Sequence, residues 1–325
     1  MTSSKALLIS TCRSRNKQSW LFILSVLIIC IYKVHADVEL GETPNRDVIQ
    51  VHVLFRHGDR TPLLPLFGKQ GGELEDNSGI LTKKGMLQLF ARGLWIRQHY
   101  GHLLRSTYKP SEISIVSTSV DRTIMSVQCL LASLYYPNPL DAFVPGLIWR
   151  PVPVHTNLGK LEKATKSIPL EYLTHPQHYL KQSAQALLHP ELAKQIAYGE
   201  FTGPLLNEIL YKLKSANQGS AKSVHLYSAH DITVSNVLNT LGINETFTEV
   251  NFAGTLIIEL RKVVVNGKER QEVKVKFLND PNGVIPSVLE MPGCKQPCSL
   301  LNLEKFLRKV IKEDPIQPPE SILKL

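Results

Sequence analysis

A histidine between two arginines follows the first apolar segment that could form a strand. Residues 49–55 alternate in character, and the run Arg56–Arg60 (Arg-His-Gly-Asp-Arg) comes directly after them. Two guanidinium groups at the buried end of a strand are costly unless an anion lies between them. Gly58 also allows the backbone to turn sharply and to approach an oxyanion closely. We therefore interpret this segment as a phosphate-binding site, with a solvated basic turn as the alternative.

Two motifs that lie far apart in the chain resemble one known family. The run Arg56–Pro62 resembles the Arg-His-Gly-x-Arg-x-Pro signature of the histidine acid phosphatases, a branch of the histidine phosphatase superfamily. Ser228–Val234 is similar to the Ser-Ala-His-Asp-x-Thr-Val segment of that family. Shorter matches at residues 117–123, 149–156 and 292–298 extend the resemblance over most of the chain. The aspartate that follows the second histidine resembles the lysosomal and prostatic type rather than the phytases.

The residue types in the two motifs suit the hydrolysis of phosphate monoesters. The substrate is a dianion, so a catalyst must spread its charge while a nucleophile attacks phosphorus in line. Neutral His57 can attack and form a phosphohistidine. Arg56, Arg60 and His230 would hold the phosphate oxygens. Asp231 would protonate the leaving oxygen and later activate water, so we expect an acidic working pH.

One position departs from the family pattern. Relatives carry an arginine of the phosphate clamp directly before the Ser-Thr-x-x-Asp-Arg-Thr stretch, and this chain has Val116 there. Losing one preorganised donor typically costs about 3 to 4 kcal/mol, or roughly 10² to 10³ in rate. Arg122 could compensate, although a residue in a first helical turn is more often held by its own helix. We therefore expect weakened turnover. The alternative is a secreted protein that binds phospholigands and has lost turnover.

Strand-like and helix-like segments alternate in the manner of an open α/β sheet. The predicted strands end at the two motifs and at the Ser117 region, and a hairpin is expected across Asn266-Gly267. In the helix that follows Thr82, Leu87, Phe90, Leu94 and Ile96 are predicted to lie on or near the buried face. The resemblance implies an open mixed sheet flanked by helices, like that of phosphoglycerate mutase, with a reduced helical cap.

The predicted domain organisation has three parts. Basic residues, an apolar stretch of about twelve residues and small residues before position 37 predict a signal peptide over residues 1–36. The stretch is too short for a membrane-spanning helix, so a retained anchor is the weaker alternative. The α/β core would comprise residues 37–155 and 203–325, with a shortened cap at 156–202. A chain that lacks an internal segment would show the same short cap.

Composition is consistent with an exported enzyme and excludes few other classes. The chain is 43% hydrophobic and 20% charged. Loss of residues 1–36 removes five basic residues and no acidic one, which lowers the net charge from +9 to about +4. This small excess gives no support to a nucleic-acid-binding surface. We expect secretion or delivery to the lysosomal lumen, with no stable membrane span after cleavage.

Cysteines and histidines outside the motifs suggest structural roles. The family resemblance implies a disulfide between Cys294 and Cys298, which an oxidising compartment would allow. Cys129 is expected to be a buried free thiol, and Asn244 is a candidate glycosylation site. The remaining histidines lack the carboxylate or cysteine neighbours of a metal site, so neither a metal nor a cofactor is predicted. The expected partner is a small-molecule or protein phosphomonoester, and a homodimer stays open.

Overall fold

The structure is a computed structural model that describes residues 46–62, 78–138, 142–156, 159–166, 190–216, 218, 221–243 and 249–311. The predicted signal peptide at 1–36, residues 167–189 of the predicted cap and Asn244 lie outside these ranges. Within the described residues, no helix is both long and apolar enough to cross a membrane.

The described strands form one mixed sheet. They are β1 (Val48–Arg56), β2 (Ile113–Ser117), β3 (His155–Thr156), β4 (Val224–Ala229), β5 (Thr255–Val265), β6 (Lys268–Leu278) and β7 (Ser287–Leu289). Their order across the sheet is β3-β2-β4-β1-β5-β6-β7. The first four in this order run parallel, and each of the last three pairs antiparallel to its neighbour. The predicted open mixed sheet is confirmed.

Helices cover both faces of the sheet. They are α1 (Lys83–Tyr100), α2 (Asp121–Leu134), α3 (Lys160–Ala164), α4 (Pro190–Lys214), α5 (Asp231–Thr240) and α6 (Leu300–Val310). Apolar residues of α1 and α2 form one core with the sheet, and those of α3 to α6 form the other. The predicted boundary at residue 203 falls inside α4, so the division into core and cap stays a proposal.

The central strands bring the two motifs to one edge of the sheet. Strands β1 and β4 are adjacent and parallel, and Arg56 is in register with Ala229. Strand β2 pairs with the other side of β4, with Ser117 opposite Ser228. Because parallel strands present their carboxyl ends at the same edge, the residues that follow these strands meet there. The predicted convergence of three strand ends is confirmed.

The buried face of α1 differs in part from the prediction, because Ile96 is buried and Phe90 half-buried as expected but the two leucines are exposed. Leu87 is 60% exposed and Leu94 is 37% exposed, whereas Gly85 and Gly93 are buried. A Cβ atom at Gly85 would lie 2.2 Å from the carbonyl oxygen of Asp59. One at Gly93 would lie 2.1 Å from the carbonyl oxygen of Leu130 in α2. The helix therefore has glycine at these two buried positions, because neighbouring backbone packs directly against them.

Two local predictions are confirmed. The hairpin of β5 and β6 turns through Asn266 and Gly267, whose φ angles are 52° and 73°. Positive φ at both central residues is typical of a type I′ turn, and Asn-Gly is the preferred sequence for it. A disulfide joins Cys294 to Cys298, with 5.5 Å between the Cα atoms. Cys129 is a half-buried free thiol whose pKa is raised by burial.

Candidate active site

The loop after β1 is held by backbone and helix contacts. The His57 amide donates to the Ala229 carbonyl of β4 at 3.0 Å, and the Gly58 amide donates to Oγ of Ser126 in α2 at 3.1 Å. A Cβ atom at Gly58 would lie 2.4 Å from the carbonyl oxygen of Gly85. Only glycine at both positions permits this approach, so the loop sits directly on the first turn of α1.

The imidazole of His57 is oriented by its own loop. Its Nδ1 lies 2.8 Å from the Gly58 carbonyl oxygen. A carbonyl oxygen can only accept, so Nδ1 carries the hydrogen and Nε2 keeps its lone pair. Burial lowers the pKa of His57 to about 3; the Gly58 hydrogen bond opposes this, and Arg122, His230 and Arg56 lower the pKa further. The ring is therefore neutral at mildly acidic pH.

Arg56 connects the two motifs. Its Nη2 lies 2.8 Å from Oδ2 of Asp231, and its Nη1 donates to the Val250 carbonyl oxygen at 2.7 Å. The ring of Phe252 lies 4.1 Å below the guanidinium carbon. The pKa of Arg56 is lowered by burial, raised by Asp231 and lowered by Arg60. Asp231 itself is half-exposed, and its Oδ1 accepts from the Ile232 amide at 2.8 Å.

His230 follows β4 and lies beside His57. The two ring centroids are 5.6 Å apart in an edge-to-face arrangement. Nη2 of Arg122 lies 3.4 Å from Nδ1 of His230, and because a guanidinium only donates, Nδ1 accepts. The Nε2 hydrogen then points to Oγ1 of Thr118 at 3.1 Å. Burial, with Arg122 as the next cause, lowers the pKa of His230 to about 4.

Arg122 is the third cation of this pocket. Its Nη2 lies 3.4 Å from Nδ1 of His230. The pKa of Arg122 is lowered by burial and by Arg60, raised by Asp231 and lowered by Arg56. Val116 packs half-buried against the apolar core beneath the sheet, in register with Tyr227. Arg122, which the sequence offered as a substitute for the arginine missing at position 116, therefore lies beside His230, whereas Val116 lies against the core.

The arginines of the pocket keep unused hydrogen-bond donors. The Nε atoms of Arg56, Arg60 and Arg122 are buried and have no partner among the described residues. Nη1 of Arg60 donates to the Thr61 carbonyl oxygen at 3.0 Å. Three guanidinium groups whose Nε donors are buried and unpaired are unfavourable unless an anion joins them. The arrangement can bind a phosphate beside the free Nε2 of His57.

The family comparison agrees with this arrangement. The sequence pattern described as "Histidine phosphatase superfamily (branch 2)" matches residues 47–156, which include the first motif and Arg122. Over these residues the chain is similar to this superfamily. The similar proteins described below are named as acid phosphatases or phytases.

The similar sequences are acid phosphatases. Putative acid phosphatase 5 of Caenorhabditis elegans is 27% identical over 369 aligned residues, which cover 90% of this chain and 85% of that protein. Rat prostatic acid phosphatase is 28% identical over 340 residues, which cover 81% and 87%. Human lysosomal acid phosphatase is 40% identical over 121 residues, which cover 37% of this chain and 29% of that protein.

A solved structure extends the likeness to the fold. The apo form of Hafnia alvei phytase matches with a TM-score of 0.55 and 14% identity, over 84% of this chain and 98% of that chain. At this identity the match shows the fold alone. It agrees with the open, mixed sheet flanked by helices described above.

Sequence patterns alone did not identify three residues near the candidate pocket. Arg122 was considered, but the sequence does not show how α2 is rotated. Thr118 follows a predicted strand and was noted only as part of a matching stretch. Phe252 belongs to no recognised motif, and the centroid of its ring lies 5.8 Å from that of the His57 ring. Its contact with Arg56 joins residues far apart in the chain, which spacing alone does not reveal.

The first part of the proposed cap reaches the rim of the pocket. Oε1 of Glu162 in α3 accepts from the amide and the hydroxyl of Ser119 at 2.8 and 2.9 Å. The electrostatic influence of Glu162 extends to His230, whose pKa it raises in part. Asn236 of α5 donates to the Ala164 carbonyl oxygen at 2.9 Å. These contacts join α3 to the loop after β2 and to the helix that begins at Asp231.

Proposed function

We propose that this protein is an acid phosphatase that hydrolyses phosphate monoesters through a phosphohistidine on His57. The observation that carries the proposal is the neutral, correctly oriented imidazole of His57 among Arg56, Arg60 and Arg122. An imidazole held as the Nδ1–H tautomer presents a nucleophilic Nε2. Three guanidinium groups around it would stabilise the charge on the phosphoryl oxygens.

The first step transfers the phosphoryl group to the enzyme. Nε2 of His57 forms a bond to phosphorus as the bond from phosphorus to the ester oxygen breaks. Asp231, which is half-exposed at the start of α5, gives its proton to the leaving oxygen. The hydrogen bond from Nδ1 to the Gly58 carbonyl oxygen favours the positive charge that the ring acquires.

The second step releases inorganic phosphate. The Asp231 carboxylate now takes a proton from water, whose oxygen attacks phosphorus as the bond to Nε2 breaks. His57 returns to its neutral tautomer and Asp231 is again protonated. His230 would hold a phosphoryl oxygen through both steps, which requires its Nε2 hydrogen to turn from Oγ1 of Thr118 to the phosphate. Because Asp231 must be protonated when substrate binds, activity belongs to the acidic pH range.

The cellular setting is part of the same proposal. The disulfide between Cys294 and Cys298 favours an oxidising compartment, and the predicted signal peptide at 1–36 favours export. The protein would then act outside the cell or in the lysosomal lumen. A cap confined to residues 156–202 would leave the site open to bulkier phosphomonoesters and would exclude water less well.

The competing function is binding of phospholigands without turnover. It was favoured by Val116, which the sequence suggested left the clamp one arginine short. The contact of Arg122 with His230 supports the enzyme, which we therefore prefer. Both functions predict that inorganic phosphate binds among the three arginines, and therefore only turnover distinguishes them.

The test is hydrolysis of p-nitrophenyl phosphate by the purified protein between about pH 4 and 7, beside His57→Asn as a control. The enzyme predicts turnover that is lost in His57→Asn, while folding is retained. A folded protein that binds inorganic phosphate without turning substrate over would instead support the binding function.

A further inference from the structure

A buried arginine of α1 makes contacts that the proposed mechanism does not use. Arg92 is 2% exposed and has no ion pair within the described part of the chain. Its Nη2 donates to the carbonyl oxygens of Ala253 at 3.3 Å and Asp280 at 3.1 Å, and its Nη1 to that of Gly283 at 3.2 Å. Burial lowers its pKa to about 10, with Asp280 opposing. A buried cation that contacts only carbonyl oxygens is costly, so its position needs a reason.

The segment that Arg92 contacts also holds two residues of the active site. The Ala253 amide donates to the His57 carbonyl oxygen at 3.1 Å, and the Arg56 amide donates to that of Gly254 at 2.9 Å. Between them, Phe252 places its ring against both the Arg56 guanidinium and the His57 imidazole. Residues 250–254, named here the Phe252 loop, therefore define the position of His57 from the side opposite β4.

The backbone of the Phe252 loop is in an unfavourable conformation. Ala253 has a φ of 56°, which a residue with a side chain rarely adopts. Such a conformation persists only where the surrounding structure fixes it. Its carbonyl oxygen accepts from Arg92 and from Oγ1 of Thr255, the latter at 2.8 Å. Arg92 is thus one of two donors that hold this peptide, and it also connects the loop to the turn at residues 280–283.

We propose that Arg92 is a positioning residue, which fixes the Phe252 loop and through it the orientation of Arg56 and His57. The proposal rests on the proposed phosphatase function of this pocket. Arg92 contacts no reacting atom, so its effect is expected on the placement of the nucleophile. A displacement of about 1 Å at a reacting group can lower a rate on the order of 100-fold.

The same helix supplies a matched control. Arg97 donates from Nε and Nη2 to the Leu134 carbonyl oxygen at 2.8 and 2.6 Å, and from Nη1 to those of Leu104 and Arg105. It therefore has the same chemistry as Arg92, but its partners lie at the end of α2 and after α1. Loss of either arginine removes hydrogen bonds to backbone, and only the loss of Arg92 affects the Phe252 loop.

The experiment compares Arg92→Met, Arg92→Lys and Arg97→Met in the full chain. Both methionine variants are expected to lower the unfolding temperature. Arg92→Met should also lower kcat for p-nitrophenyl phosphate at least tenfold and weaken inhibition by inorganic phosphate. Arg92→Lys, which keeps part of the bonding, should recover some of this loss. Arg97→Met should stay within about twofold of the wild type. Equal kinetic effects of Arg92→Met and Arg97→Met would overturn the proposal.

Two further measurements separate positioning from general stability. If Arg92 acts through the Phe252 loop, Arg92→Met and Phe252→Leu should be non-additive in kcat/KM, whereas additive effects contradict this. The nitrogen NMR signals of His57 should shift or broaden in Arg92→Met, or in Arg92→Lys if the former does not fold. Unchanged signals overturn the proposal. This readout needs no turnover, so an inactive wild type would reject the phosphatase function and leave the role of Arg92 decidable.

Discussion

Nη2 of Arg56 lies 2.8 Å from Oδ2 of Asp231, so an ion pair joins the proposed anion-binding residue to the proposed proton donor. A phosphate that enters the pocket competes with Asp231 for the same guanidinium. The carboxylate and the phosphate dianion also repel each other, which favours the protonated acid when substrate is bound. In the proposed mechanism, substrate binding and the supply of the catalytic proton are thereby coupled through Arg56.

This coupling predicts opposite effects of Asp231→Asn on binding and on turnover. Removing the carboxylate eliminates a negative charge that competes for Arg56, so inorganic phosphate should inhibit at lower concentration. Turnover of an alkyl phosphate should fall by roughly 10² to 10⁴, the usual contribution of a general acid. An aryl phosphate, whose leaving group needs less protonation, should lose less. Steady-state kinetics with both substrates measure this, and weaker phosphate inhibition in the variant would contradict the account.

Arg122 and Val116 give a second prediction. Arg122→Ala removes a cation that contacts His230, so kcat/KM should fall by roughly 10² to 10³. Val116→Arg places the added charge at the core beneath the sheet rather than in the pocket, so it should give no gain and should lower the unfolding temperature. Kinetics and thermal unfolding of the two variants test this. A large gain in Val116→Arg would show that position 116 reaches the phosphate after all.

The buried histidines predict how stability depends on pH. Burial lowers the pKa of His57 to about 3 and that of His230 to about 4, whereas both are near 6.5 in the unfolded chain. Below pH 6.5 the unfolded state therefore takes up protons that the folded state does not bind. The free energy of unfolding should fall between pH 6.5 and 4.5, by on the order of 2 kcal/mol per histidine.

The pH prediction can be checked by thermal unfolding and by NMR. Burial also lowers the pKa values of His52 and His225, so four histidines contribute to this loss of stability. His57→Asn should lose less stability than the wild type between pH 7 and 4.5, because one of the four is absent. The imidazole signals of His57 should stay constant down to about pH 4. Titration of His57 near pH 6.5 would contradict a buried, neutral nucleophile.

The contact between Gly58 and Gly85 predicts a large effect of one methyl group. In Gly85→Ala the new Cβ atom would meet the backbone of Asp59, so the phosphate loop must move away from α1. Gly93 lies about two turns further along α1. In Gly93→Ala the new Cβ atom would meet the Leu130 carbonyl oxygen in α2, away from the phosphate loop. Both variants should unfold at lower temperature. Only Gly85→Ala should also raise the KM and weaken phosphate inhibition, and equal kinetic effects in the two variants would contradict this role of the loop.

Much of the fold was predictable because its signals are local. The alternation in residues 49–55 and the turn at Asn266-Gly267 depend on near neighbours. Part of the buried face of α1 was mispredicted for the opposite reason. Apolar residues such as Leu87 suggest a buried face, but the close approach of Gly85 to the phosphate loop depends on residues elsewhere in the sequence.

The candidate site divides in the same way. His57 and His230-Asp231 follow strands and belong to motifs, so their meeting could be inferred from parallel pairing. The position of the Arg122 side chain depends on the rotation of α2 about its axis. Side-chain contacts of Thr123 and Ser126 help to fix that rotation. Such contacts are tertiary, and the sequence pattern of a helix does not specify them.

The central claim is a covalent phosphohistidine on His57. The most direct test mixes the protein with ³²P-labelled phosphomonoester, stops the reaction in alkali within milliseconds, and measures label on the denatured chain by peptide mapping. We expect label on the peptide that contains His57, none in His57→Asn, and continued turnover when the label is chased. Turnover by the wild type with no labelled peptide at any time would contradict the mechanism, as would label that persists in His57→Asn.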